Sequence, residues 1–452
     1  MTLTRIVLPL LLLLPALPAL PACGEFQDSG NDRLTAATRD LDSSDPRRVF
    51  AAVQTIAQLG GASLPAIDAR AKEAKGRVRD YLELAAEEIR LAPHLPGFPP
   101  VKRLSMKSTD KNVVELLSDL RARTGAAIAL DNLLDEEKLP EIAFEVKDAT
   151  MLEAFDAICH AGNVTVSMEN SQFMLYTGTY VDLPRFFYGH YYFRLSEYDH
   201  LKTVNFRRPA VETFDVHMEM IWDPAAAPLR YQPVRVVEAL DDRGRSLVRP
   251  EPKPRDPNAA KPEDEPDFET LGPAMTLHLL PPSPAAQKIA VLRGFCPIVL
   301  PKARTTLTFE TAESRKGDAR NDAAAPVPPE PKSAVLAGDF KAVVTRIDLA
   351  NHSVVLEISA KKLKTEALGE LDLLSHVVLK GWESTSSYVT KSSPEDDVME
   401  ITVSYEPLRF KDSLVRPTEE TPPPTVEKLE VSVVTSTQEK RIPFEFRDLK
   451  IR

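Results

Sequence analysis

The chain has 452 residues and a formal net charge of −11, with no strongly basic block. That balance argues against nucleic-acid binding, which needs a Lys/Arg surface to displace counterions. With 43% hydrophobic and 27% charged residues the composition is that of a globular protein, and the length suits roughly two to four domains with sizeable cores. Prolines outnumber glycines, 39 to 17, which points to stiff connections between domains strung along the chain. The expected fold class is multidomain α+β: a small helical segment, a small α/β (βαββαββ) domain, then an all-β sandwich-like region of one or two domains.

Residues 1–22 have the layout of a signal peptide. Arg5 precedes an apolar run from Ile6 to Leu14, then small residues and prolines. The run is short and proline-rich for a spanning helix. Leu20-Pro21-Ala22-Cys23 resembles a bacterial lipobox, with Leu at −3, Ala at −1 and Cys first in the mature chain. The resemblance implies cleavage before Cys23 and lipid attachment there. Pro21 departs from the usual small residue, and the alternative is an ordinary secreted protein cut nearby.

Residues 23–44 are polar and read as a tether. Residues 45–92 read as helices. Asp45-Pro46 opens the first, with Pro at its first position, and Val49, Val53, Ile56 and Ala57 mark its face. Gly60-Gly61 ends it. Leu64, Ile67 and Ala71 mark a second face, and Val78, Leu82, Ala85 and Ile89 a third. Short helices joined by Gly turns resemble one HEAT-like unit plus a helix. One such unit does not bury its face alone, so the helices pack on a neighbour or form a small bundle. Residues 93–100, with Pro93, Pro96, Pro99 and Pro100, read as a rigid linker.

Residues 101–177 read strand, helix, strand, then strand, helix, hairpin. Leu104 and Met106 alternate with Arg103, Ser105 and Lys107. Val113, Leu116, Leu117 and Leu120 form one helix face, opened by Asn112 with Glu115 and closed at Gly125. Ile142, Phe144 and Val146 alternate in the next strand. Thr150 with Glu153 then caps a helix carrying Met151, Phe155 and Ile158, which Gly162 stops. Val164, Val166 and Met168 pair with Phe173 and Leu175 across a turn at Asn170–Ser171. The helix ending in Thr-Gly before an alternating strand, the "FEVKDA" strand entering a second helix and the closing hairpin resemble the short N-terminal domain of secretins and TonB-dependent receptors. The resemblance implies a small fold with two helices on small sheets and a protein–protein contact role without chemistry.

After Gly178 short alternating runs take over. Residues 185–312 read as a β-sandwich-like domain with a disordered insertion at 249–268, and 313–333 as a linker. Residues 334–452 read as a second sandwich-like domain or a continuation of the first. "IPFEFRDLKI" at the chain end alternates as a strand.

No nucleophile elbow, zinc-helix motif or phosphate loop is present. His217 and Glu219 share one face of a strand, which suits two metal ligands or simply the polar side of that strand. Asp241 and Asp242 suit a carboxylate pair, but a turn before Gly244 explains them better. Phe186, Phe187, Tyr188, Tyr191, Tyr192 and Phe193 form the densest aromatic cluster, a binding strip or a core strand. Cys159 and Cys296 read as buried hydrophobes; the alternative is a disulfide tying two domains.

Together these readings predict a non-enzymatic cell-envelope lipoprotein, exported and held by a lipid at Cys23 on the periplasmic or outer-membrane side. It meets an unidentified envelope protein partner, and no catalytic residue, metal or cofactor is assigned. The alternatives are a polymer- or ligand-binding sandwich protein of the cell surface and a hydrolase with a non-motif active site.

Overall fold

The computed structural model describes residues 24–95, 98–126, 128–130, 139–169, 172–176, 178–203, 211–250, 274–310, 332–336, 340–350, 353–362, 377–379, 382–393, 398–407 and 428–451. The expected signal peptide, Cys23, the expected turn at Asn170–Ser171, most of the insertion expected at 249–268 and most of the linker expected at 313–333 lie outside these residues. The protein is a mixed α+β chain that divides into two compact units, Met1–Ile89 and Arg90–Arg452.

The first unit is helical. Helix α1, Gly24–Asp40, runs through the stretch expected to be a tether. Its reason is a short helical stripe in a polar run: Leu34, Ala37 and Leu41 are spaced three and four apart and all are buried. Helix α2, Pro46–Ala57, begins as the sequence predicts, with the Asp45 carboxylate accepting the Arg47 N–H at 2.9 Å. Helices α3, Leu64–Glu73, and α4, Gly76–Leu91, follow. Val53, Ile56, Ile67, Leu82 and Ala85 are fully buried. Arg70 of α3 donates to Asn31 and Thr35 of α1, at 3.0 and 2.6 Å.

The second unit begins with an α/β module. Strand β1 is Arg103–Lys111, helix α5 Val113–Thr124, β2 Ile128–Leu130 and β3 Ile142–Thr150. Helix α6, Met151–Gly162, β4, Thr165–Glu169, and β5, Gln172–Tyr176, complete it. Both expected capping boxes form, Asn112 with Glu115 and Thr150 with Glu153. Gly125 takes the left-handed conformation that ends α5. At the end of α6 the left-handed residue is Asn163, φ 51°, and Gly162 has another task. A Cβ on Gly162 would lie 2.7 Å from Val113 Cβ, so glycine lets the end of α6 meet the start of α5. Strands β1 and β3 pair antiparallel as a two-stranded sheet. A second sheet runs β2-β5-β4, with β2 parallel to β5.

The β body follows. Its strands are β6, Arg185–Tyr188; β7, Tyr191–Thr203; β8, Val211–Trp222; β9, Arg230–Tyr231; β10, Arg235–Asp241; β11, Ala274–Leu279; and β12, Lys288–Glu310. Then come β13, Lys332–Leu336; β14, Phe340–Ala350; β15, Ser353–Lys362; β16, Val377–Leu379; β17, Trp382–Ser393; β18, Val398–Pro407; and β19, Lys428–Lys450. One sheet has the order β11-β8-β7-β6, another β10-β12-β19-β16 with β9 beside β12. Their buried faces meet. Phe193 of β7 lies 5.7 Å from Phe444 of β19, and Cys296 Sγ of β12 lies 3.8 Å from Met275 Sδ of β11. The third sheet, β13-β14-β15-β18-β17, is an antiparallel set between β12 and β19 in sequence.

Strands β12 and β19 pair from Lys288↔Lys450 to Glu310↔Lys428. The chain end, in the region read as a second sandwich-like domain or a continuation of the first, completes the sheet of β10 and β12. Residues 311–427 are inserted between two paired strands. Ile442, Phe444 and Phe446 alternate along β19 and are buried, and Phe444 meets Phe193 of β7.

Candidate functional site

Buried titratable side chains gather at two places where the α/β module meets the β body. The first is centred on Asp156 of α6, which is buried. Tyr180 and Tyr192 both donate to its Oδ1, at 2.9 and 3.2 Å, and Arg185 Nη1 stands 3.3 Å from Oδ2. Arg185 also bonds Tyr180 Oη and pairs with Asp182 at 3.0 Å. The His160 ring packs edge-on against Tyr180 at 4.9 Å. Nearby, Arg194 of β7 joins Glu219 at 2.6 Å and donates to the Val166 carbonyl of β4 at 3.3 Å. Burial pushes the Asp156 carboxyl above its ordinary range, against the pull of Arg185 and the two hydroxyls. Burial and the same carboxylate push both tyrosines upward. The tyrosines are thus fixed as protonated donors, and the cluster acts as a clamp between α6, β6 and β7.

The second place is His190, in the turn between β6 and β7 and only 6% exposed. Its Nδ1 lies 3.0 Å from Asp223 Oδ2 and its Nε2 lies 2.8 Å from the Pro99 carbonyl. A histidine held by an aspartate is the orienting half of many nucleophile-activating arrangements. Here the second nitrogen is taken by a backbone carbonyl, so the ring has no free nitrogen for general-base work. A cavity of about 60 Å³ beside it is lined by Pro99, Lys102, Thr150, Leu152, His190 and Asp223 among others. That is room for roughly a few waters, not for a substrate of ordinary size.

The residues singled out in the sequence are dispersed. His217 and Glu219 do share the outer face of β8, but they turn to different partners. His217 Nε2 meets Asp199 at 3.0 Å and its Nδ1 meets Thr276 at 3.2 Å, while Glu219 takes Arg194. A similar pair, His278 of β11 with Asp215 of β8 at 2.8 Å, bridges to the next strand. Among the described residues no three His, Cys, Asp or Glu side chains are arranged to hold a metal ion. Asp241 and Asp242 do not act together either. Asp241 accepts the Arg243, Arg245 and Ser283 amides, each at 2.9 Å, whereas Asp242 faces the Gln287 amide at 3.3 Å.

Of the aromatic cluster, Phe186, Tyr188, Tyr191, Tyr192 and Phe193 are buried, and Phe187 stacks on Tyr192 with ring centres 4.5 Å apart. Cys159 and Cys296 are free and buried. Burial raises both thiols, that of Cys296 to about 12, which leaves them inert. Among the described residues no single helix is long and apolar enough to cross a membrane.

Sequence reasoning missed both joints. Asp156 carries a legible signal: it follows Leu152 by four and precedes Cys159 by three, so it is a carboxylate on an apolar helix stripe. His190 carries none, because Asp223 and Pro99 are remote from it in sequence. Comparison with family models, with curated proteins and with solved structures finds no match for this chain.

Proposed function

We propose that the chain is a non-enzymatic lipoprotein of the cell envelope, a contact or scaffold module anchored through Cys23. In this reading the α/β module is the contact element and the sandwich-like β region carries it. The module's two helices and two small sheets support its likeness to the secretin and TonB-receptor short domain. One observation carries the contact role. The β1–β3 sheet has two strands, so each has an outer edge with no strand neighbour among the described residues. Open edges accept extended partner segments. The sheet also presents Lys107 and Lys147 around Glu145, at 3.2 and 2.7 Å, on an exposed surface. The Asp156 clamp and the Arg194–Val166 bond tie α6 and β4 of the module to the body.

The test is affinity capture from solubilised envelope with the full chain and with a Lys107→Glu, Lys147→Glu double variant. Both lysines are well exposed, so the variant keeps the fold. The expected result is a specific envelope protein bound by the first and lost from the second. Equal capture by both overturns the assignment of this surface. For the anchor, Cys23→Ser is expected to move the protein from the membrane to the soluble fraction. If it stays in the membrane unchanged, the lipid reading fails.

A further inference from the structure

His190 faces two acceptors at once, the Asp223 carboxylate at 3.0 Å and the Pro99 carbonyl at 2.8 Å. A carbonyl oxygen cannot donate, and neither can an ionised carboxylate. Neutral imidazole has one N–H and one lone pair. It satisfies one of these partners and must turn its lone pair toward the other at contact distance. Both bonds coexist only when the His190–Asp223 pair holds one proton beyond neutral ring plus carboxylate. Asp223 cannot turn away: its Oδ1 accepts the Ala225 N–H at 3.0 Å, and its own N–H bonds the His190 carbonyl at 2.8 Å.

The segment held in this way is the Pro-rich stretch that leads into β1. The Phe98 ring meets the His190 ring edge-on at 5.3 Å, and Lys440 Nζ stands 4.9 Å over the Phe98 ring. Lys102 lines the cavity beside His190. Of the charged groups around the ring, Lys102 and Lys440 disfavour a further positive charge, and Asp223 favours it.

We propose that His190 is a proton-dependent latch that pins the 98–100 stretch to the β body. With the proton, the ring bridges Asp223 and Pro99. When the proton leaves, the remaining N–H goes to the charged carboxylate, the stronger acceptor. The Pro99 carbonyl then faces a lone pair and separates from the ring. The stretch loosens as pH rises. The Asp156 clamp is untouched, so the α/β module stays attached while its entry segment and the neighbouring cavity open.

The test is amide hydrogen exchange at Phe98, Val101 and Lys102 in the full chain between about pH 5 and pH 8, corrected for the intrinsic pH dependence of exchange. The expected result is an opening equilibrium that rises about tenfold, the weight of one lost hydrogen bond. Asp223→Asn separates the latch from mere packing. Its amide oxygen keeps the Ala225 bond, its NH2 donates to Nδ1, and the neutral ring then gives its Nε2–H to Pro99. That variant is expected to stay closed across the whole range. His190→Gln, which can donate to Pro99 but does not titrate, is expected to show a flat profile. A flat wild-type profile overturns the proposal. So does a wild-type-like rise in either variant, which would assign the change to another group.

Discussion

Asp156 and Asp241 are both buried aspartates, at 8% and 1% exposure, and the protein treats them in opposite ways. Burial raises Asp156 and its donors do not undo the effect. Burial also pushes Asp241 upward, yet hydrogen bonds from Ser283, Arg245 and Arg243 overcome it and bring the carboxyl down to about 2. The difference lies in the number and kind of donors. Asp241 is bonded by the Ser283 side chain and amide and by the Arg243 and Arg245 amides of its own turn, which Gly244 closes at φ 79°. Backbone N–H groups are placed by the fold, and no side-chain rotamer has to be frozen to hold them there. Asp156 relies on the ends of two tyrosines and an arginine reaching from other elements. The first carboxylate builds a loop, and the second joins α6 to β6 and β7.

The largest expected effect follows from the turn. Asp241→Ala leaves three amide donors without their acceptor and is expected to cost about 3 kcal/mol, read as a lower urea midpoint in tryptophan fluorescence. The folded carboxyl titrates below its unfolded value. Its stabilisation is therefore complete above about pH 4 and is lost as pH falls through about 2. The gap between wild type and variant should narrow over that interval. A gap that is constant with pH would mean that the carboxylate charge contributes nothing.

Asp156→Asn should cost less, about 1 kcal/mol. The amide oxygen still accepts from both tyrosines, since both address Oδ1, while the NH2 faces Arg185 without a bond. Against that loss, the variant escapes the cost of a buried charge. The folded carboxyl titrates above its unfolded value, so that cost is present above the folded value and is relieved as pH falls through it. Wild type should accordingly gain on the variant as the solution is acidified, the reverse of the Asp241 pattern. If both aspartates show the same slope with pH, the contrast between the two carboxylates is wrong.

What the sequence made legible was local. The capping boxes Asn112/Glu115 and Thr150/Glu153 span three residues each, and the pattern of Ile142, Phe144 and Val146 spans five; all form as read. Helix α1 was hidden because Leu34, Ala37 and Leu41 are a thin stripe in a polar stretch. The pairing of Lys288 with Lys450 was hidden for a different reason. Many alternating segments could pair with β12, and choosing β19 requires knowing which faces meet across the two sheets. The joints failed in the same way. Asp156 needs Tyr192, and His190 needs Asp223 and Pro99, from elements whose docking no local pattern encodes.

The smallest effects separate the two tyrosines of the clamp. Tyr192 is buried, and its hydroxyl is sealed between α6 and β7. Tyr192→Phe removes a donor that water cannot replace, and about 1 kcal/mol is expected. Asp156, with one donor fewer, should rise further, so the acid-side gain in stability should extend to higher pH. Tyr180 is half-buried, in the segment between the module and β6. Its hydroxyl makes the shorter bond to Asp156, 2.9 Å against 3.2 Å. Length alone would make it the more important of the two. Yet a water entering from the open side can bond Asp156 in its place, so Tyr180→Phe is expected to cost only about 0.5 kcal/mol. Burial then outranks bond length in setting the strength of this joint. Urea midpoints for the two variants decide it: a larger loss in Tyr180→Phe would make the short bond, and with it Arg185, the centre of the clamp.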